Sequence, residues 1–392
     1  MLQSIFSYSI IIVVMLFFST MLAKKNSIHN NNSKNLTLKK NNFWRVELII
    51  LIFLFTIFFG IRYNVGRDYM NYLIPYLDGS YYDAKYDPLF LLITDICYGF
   101  DVHPTIYFSI FCFIQITFFI YAFKDDCYIY PLLILFLFLN GEWLSWMNII
   151  RQALAMCIWL YSITFIVEKK FWHYIIWGII AFLFHRSALI LFVFYPLLRN
   201  GKDYFKSIPL QLILFASVFI IKNVFEVFIL QFEPIIEQFQ TILGGERELY
   251  RTYTMDNMLD ELNNEVSGTG LAYMFRILVW VIIILYSRKL KSYYNSKKFN
   301  IIYFFFFFGL LTQYIFPEGV IVFSRPFRYF YIFQTIMLAY FVYYLLKSNS
   351  FRFNKILADF LIIAFIGVFV LSQITAPVDN YVWYQTYFQN TK

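Results

Sequence analysis

The sequence predicts an all-α polytopic membrane protein. Three observations carry that prediction. Of 392 residues, 60% are hydrophobic and only 14% charged, where a soluble domain of this size carries roughly a quarter charged. Apolar stretches recur from end to end at lengths that suit helical crossings. The net charge of +8 resides mostly in lysines of short loops between those stretches, which is a topology signal and not a nucleic-acid signal. The apolar runs are continuous and do not alternate, which argues against a spanning β-barrel.

The elements follow in order. Stretch 5–22 has no charged leading region and no small-residue cleavage site, so it reads as a retained span and not a signal peptide. Lys24, Lys25, Lys34, Lys39, Lys40 and Arg45 make the next loop cytoplasmic. Span 46–61 then runs outward to Arg62, and 62–87 is an extracytoplasmic loop. Stretch 88–100 is short for a crossing and reads as a re-entrant or interfacial helix. Span 104–123 comes in, 128–140 goes out, and 146–167 returns to Glu168, Lys169 and Lys170. Stretch 171–199 is interrupted at His185 and Arg186, and reads as two half-length helices that dip toward the outer face and return.

Span 208–232 leads outward to a second extracytoplasmic loop, 233–270, either a lid of short helices or a solvated segment. Spans 271–287, 299–316, 327–346 and 356–371 then alternate, leaving 372–392 outside. The expected total is roughly 10–12 transmembrane or re-entrant helices in a single transmembrane domain, 1–392. The four cysteines form no CxxC pair and the four histidines are scattered. Neither a disulfide framework nor a metal site is expected, and no cofactor is indicated.

Arg62, Arg67, Arg151, Arg186, Arg325 and Arg328 lie inside apolar helices or at their outer ends. Arginine at membrane depth costs a few kcal/mol per residue unless an anion compensates. Lysine dominates the cytoplasmic loops, yet most arginines lie elsewhere. Topology needs only positive charge, so this preference suggests forked recognition of an oxyanion such as phosphate or pyrophosphate.

The arginines sit in motifs, each with a plainer reading beside it. The turn from Gly60 to Tyr72 holds Arg62, Gly66, Arg67, Asp68, Tyr69 and Tyr72. It reads as an anion-binding turn with a carboxylate beside it, or as a helix cap with an Arg67–Asp68 surface pair. Arg151, in the run from Asn148 to Ala155, requires a carboxylate, an aqueous cavity or an anionic ligand, and Glu142 is an available structural partner. His185, at the helix break, offers an acid, a base or an interhelical hydrogen bond. Arg325 and Arg328 are spaced to share a helix face behind the first-turn Pro326, as phosphate ligands or as snorkelling anchors.

Together these segments resemble the EpsG family, related to Wzy-type O-antigen and exopolysaccharide polymerases. The resemblance rests on Arg62, Gly66, Asp68, Tyr69 and Tyr72; Asp87-Pro88-Leu89; Arg151 to Ala155; Phe184 to Ala188; and Arg325 to Tyr329, in that order along the chain. Asp87 stands where a glutamate is expected, and Arg186 fills a variable position.

The resemblance implies a metal-independent, inverting, GT-C-like glycosyltransferase in the bacterial cytoplasmic (inner) membrane, with its active site facing the periplasm or outside. It would transfer a growing glycan from undecaprenyl pyrophosphate to the non-reducing sugar of another lipid-linked repeat unit. A flippase and a chain-length regulator are implied partners, alongside the lipid bilayer. Under that reading Arg62, Arg151, Arg186, Arg325 and Arg328 hold the pyrophosphate. Asp68 or His185 is the catalytic base, and Tyr69 and Tyr72 stack on sugars. A flippase or other lipid-linked oligosaccharide transporter, an O-antigen ligase and a membrane O-acyltransferase are the alternatives.

Overall fold

The computed structural model describes residues 2–31, 45–82, 86–231, 270–316, 325–348, 352–376 and 382–389. The expected lid in the 233–270 loop lies outside these, apart from Gly270. The chain is an all-α polytopic membrane protein. Among the described residues, six helices are long and apolar enough to cross a membrane, or up to eight if each of two bent pairs forms one span. The chain divides into two compact units, Met1–His185 with Leu338–Lys392, and Arg186–Met337.

The first unit contains α1 (Leu2–Asn31), α2 (Val46–Gly60), α3 (Tyr69–Asp78), α4 (Pro88–Gly99), α5 (Pro104–Ala122), α6 (Tyr130–Leu139), α7 (Glu142–Asn148), α8 (Ile150–Val167) and α9 (Phe171–Phe184). Its layers follow from which neighbours each helix packs on. α5 lies between α2 and α8, α9 packs on α8 and α4, and α1 packs on α2 and α6. α8 is buried on nearly every side, including Trp159, Ala153 and Ala155, as expected of an apolar helix without a polar stripe. The α2–α5 contact is close enough that a Cβ on Gly60 would collide with the Ser109 side chain and sit 2.9 Å from its Cα. Such small-residue contacts let backbones approach where lipid supplies no hydrophobic drive. Gly60→Leu is therefore expected to cost about 1–3 kcal/mol by overpacking, read as a lowered melting temperature in detergent.

The second unit contains α10 (Phe194–Leu198), α11 (Ile208–Gln231), α12 (Leu271–Leu285), α13 (Ser287–Tyr294) and α14 (Lys297–Ile315). α15 (Ile332–Lys347) begins in this unit and ends in the first, which α16 (Arg352–Thr375) completes. The phenylalanine run sits on α14 and packs in several directions. Phe305 stacks on Phe330, Phe306 meets Trp280, and Phe307 meets Phe205. Lys291 donates to Asp203 at 2.8 Å over the ring of Tyr303, directly before that run on α14, and the Tyr303 hydroxyl donates to Gln211 Oε1.

Several expected spans differ in detail. Stretch 146–167 is not one helix: the backbone leaves helical geometry at Ile149 (φ −96°, ψ 52°), separating α7 from α8. The residues 124–139 and α7 meet at a 62° bend, and α12 and α13 at 57°. The second half of 171–199 is a 3-10 stretch, Arg186–Val193, followed by the short α10. The entry to the expected span 327–346 changes helix type along its length. Residues 325–327 form a helical turn, Arg328–Phe330 is 3-10, and α15 starts at Ile332.

Candidate functional site

The first unit brings three of the sequence motifs to one set of helix ends. α2 stops at Gly60 because the chain must turn, and Arg62 folds back onto it. The Arg62 guanidinium donates to Phe59 O at 2.5 Å, Val65 O at 3.3 Å and Cys112 Sγ at 3.6 Å. Phe59 O is among the carbonyls that a helix C-terminus leaves unbonded, and that end carries partial negative charge. Arg62 is 1% exposed. The rings of Tyr69 and Phe108 lie 5.5 and 5.0 Å from its guanidinium carbon and stack on one another.

The turn then docks on the start of α8. Gly66 has φ +94°, and a Cβ there would lie 2.7 Å from Met147 O. Only glycine meets both demands at no steric cost. One residue later Arg67 is exposed. The Asp68 backbone N–H donates to Asn148 Oδ1 at 2.9 Å, which ties the turn to the α7–α8 break. The half-buried Asp68 carboxylate accepts from Asn71 Nδ2 at 3.3 Å.

Arg151 emerges from the first turn of α8 directly beyond that break. Its Nη1 pairs with Asp87 Oδ2 at 2.7 Å, with side chains 14% and 4% exposed. Asp87 precedes Pro88, the first residue of α4, so proline starts the helix and holds the carboxylate at its mouth. Glu142, one structural partner that the sequence offers, instead accepts the Trp146 indole N–H at 3.2 Å. The correction has a simple cause: the break at Ile149 turns Arg151 away from α7 and toward α4. The Tyr86 ring lies 5.3 Å from the same guanidinium, and Tyr72 packs against Tyr86 and Phe90. The Arg151 Nε is buried without a hydrogen-bond partner, as are Asn64 Oδ1 and Tyr69 Oη.

Tyr69 and Tyr72 are both buried, and their rings are covered by protein groups in this conformation. Burial pushes the Tyr69 hydroxyl above its ordinary range, with Arg62 opposing the shift. Burial likewise pushes Tyr76, on α3, up to about 12. His185 ends α9 in extended backbone (φ −159°, ψ 120°) and is half-buried.

In the second unit the remaining two motifs meet. Ser187, one residue past the exposed Arg186, shares a hydrogen bond of 3.1 Å with Tyr329, one residue past the half-buried Arg328. Arg325 is also half-buried. Gly309 admits this segment, because a Cβ there would fall 2.5 Å from Phe330 O. Among the described residues no three His, Cys, Asp or Glu side chains gather into a metal-binding group.

Three contributors were not singled out from sequence. Asp87 lay in a motif but was assigned no partner, because 64 residues separate it from Arg151. Asn148 lay in the Arg151 motif, and only its contact with Asp68 reveals its use. Segment 382–389 carries no motif, yet it pairs with the Arg62 turn through Tyr63 N to Gln385 O and Tyr387 N to Ile61 O, both 2.8 Å.

No curated protein and no solved structure matches this chain. A family model does, over residues 46–386. That span takes in every motif above and the paired segment as far as Thr386. The chain belongs to the EpsG family.

Proposed function

We propose that this protein polymerises undecaprenyl-pyrophosphate-linked oligosaccharide repeat units at the outer face of the bacterial cytoplasmic membrane. Family membership points to a polysaccharide polymerase-type function. The observation that carries the finer reading is Arg151, an arginine at membrane depth held by Asp87 at 2.7 Å with its Nε left unbonded. A guanidinium so placed is fixed by one carboxylate and retains donor capacity for a second anion.

The reaction is a glycosyl transfer. The bond between the donor's anomeric carbon and the pyrophosphate oxygen breaks, and that electron pair leaves with the lipid pyrophosphate. An acceptor sugar hydroxyl forms the new bond from the opposite face, inverting the anomeric centre, and its proton passes to a base. Charge grows on the leaving pyrophosphate, so preplaced guanidiniums lower the barrier without reorganising. In this proposal Arg151, Arg325 and Arg328 are the first candidates for that role, and Arg186 is the next. Arg62 belongs to the same set through the turn that it holds together. Asp68 or His185 receives the proton. The rings of Tyr69 and Tyr72 are covered by protein groups, so in this proposal they line the turn and leave sugar contact to other side chains. A flippase supplies the substrate and a chain-length regulator limits the product.

The test is direct. Purified protein incubated with a synthetic undecaprenyl-pyrophosphate repeat unit should give a ladder of polymer lengths. Arg325→Lys, inserted normally, should lower the rate about 10²–10³-fold, the scale of losing one oxyanion donor. Near-normal ladders from both Arg325→Lys and Arg151→Lys would sink the pyrophosphate role. Unchanged lipid with wild-type protein would favour transport, and a single shift with only a lipid A core acceptor would indicate a ligase.

A further inference from the structure

Segment 382–389 touches five parts of the first unit. The Tyr384 ring stacks on Phe58 with centroids 4.1 Å apart and planes 8° from parallel. Its hydroxyl donates to Phe58 O at 2.7 Å, and its backbone N–H donates to Ser4 Oγ at 2.6 Å. Val382 O accepts from the Tyr8 hydroxyl at 2.7 Å, and the Trp383 indole donates to Gln373 O at 3.2 Å. Thr386 and Arg62 form an antiparallel bridge. Tyr387 packs edge-on against Tyr63 and His103.

These contacts complete the end of α2. Its last carbonyls have no helical partners, and three of those at or just beyond its end are met from different sources. Phe58 O takes the Tyr384 hydroxyl, Phe59 O takes Arg62, and Ile61 O takes Tyr387 N. Burial keeps the Tyr384 hydroxyl protonated far above neutral pH, so it serves as a constant donor. The turn is fastened at Arg62 and at the Asp68 N–H, and between those anchors Asn64 Oδ1 is buried without a hydrogen-bond partner. The bridging segment supplies the missing restraint on the stretch that presents Asp68.

We propose that Tyr384 is a positioning residue: segment 382–389 clamps the Arg62–Asp68 turn in its working geometry and stays closed during turnover. The clamp itself is independent of the polymerase reading, and only its effect on rate rests on that reading. Two readouts separate the two. First, a single cysteine in place of the buried Val65, in the same turn, is labelled with a membrane-impermeant maleimide, in the full chain and in Tyr384→Ala. Loosening of the turn should raise the labelling rate at least about tenfold in Tyr384→Ala. Tyr384→Phe, which keeps the stack and loses one hydrogen bond of about 1 kcal/mol, should rescue most of the protection. Equal labelling in all three proteins overturns the clamp whatever the enzyme does.

Second, Tyr63→Cys with Gln385→Cys joins the segment to the turn by an oxidant-formed disulfide. Polymerisation should persist when the bond is closed, and Tyr384→Ala should lower kcat with KM little changed. Loss of turnover on oxidation, restored by reductant, overturns the clamp's closed state during the reaction. If wild-type protein forms no polymer, the labelling result still decides the clamp. If Tyr384→Ala fails to accumulate, the labelling of Tyr384→Phe against wild type and the disulfide pair decide it.

Discussion

Asp87→Ala is expected to destabilise this protein by about 3–5 kcal/mol, the scale of breaking a buried ion pair from one side. The loss exceeds the worth of the pair, because Arg151 would remain in a nearly closed pocket with no counter-charge. Its side chain is only 14% exposed and is carried by α8, which is packed against α5 and α9. A thermal melt in detergent measures the effect. Asp87→Glu should recover much of the stability, since it restores the charge at the cost of one extra methylene in a tight site. The double variant Asp87→Leu with Arg151→Met removes both charges and should melt closer to wild type than either single change. Its polymer yield should nevertheless stay near zero. If the double variant polymerises normally, the pair is structural and Arg151 does not touch the leaving group.

The second large effect is expected at Gly66. Valine there must adopt a left-handed φ, which costs roughly 1–2 kcal/mol for a residue with a Cβ, and its Cβ would press on Met147 O from 2.7 Å. The backbone has to shift, and the nearest contact to be lost is the Asp68 N–H bond to Asn148 Oδ1. Gly66→Val should therefore lower both melting temperature and polymer yield. Asn148→Ala should lower yield with a smaller thermal change, because it removes the anchor and leaves φ unstrained. An unchanged melting temperature in Gly66→Val would show that the turn does not bear on α8.

Much of this architecture was legible in the sequence because lipid leaves few options: apolar runs must become helices. The positions of α1, α5, α11, α14, α15 and α16 follow from hydropathy, and the break at His185 from a polar pair inside an apolar run. The break at Ile149 was not legible, since Asn148-Ile-Ile-Arg carries neither glycine nor proline. It arises from packing, where Asn148 is held by Asp68 and Arg151 is drawn to Asp87. The same limit explains the missed arginine partner. Glu142 is near Arg151 in sequence, and Asp87 is near it in space. Segment 382–389 was hidden for a different reason: its pairing with the Arg62 turn runs through backbone groups, which leave no mark on composition, and its aromatic side chains are common throughout this chain.

The Arg151–Asp87 pair also has a consequence for biogenesis. Asp87 leaves the ribosome 64 residues before Arg151. During that interval α4 and α5 enter the membrane with an acid that has no counter-charge, so the acid must wait at the bilayer edge. Arrival of α8 ends the wait and lets two costly side chains sink as one neutral unit. A chain stalled between those two points cannot hide its acid.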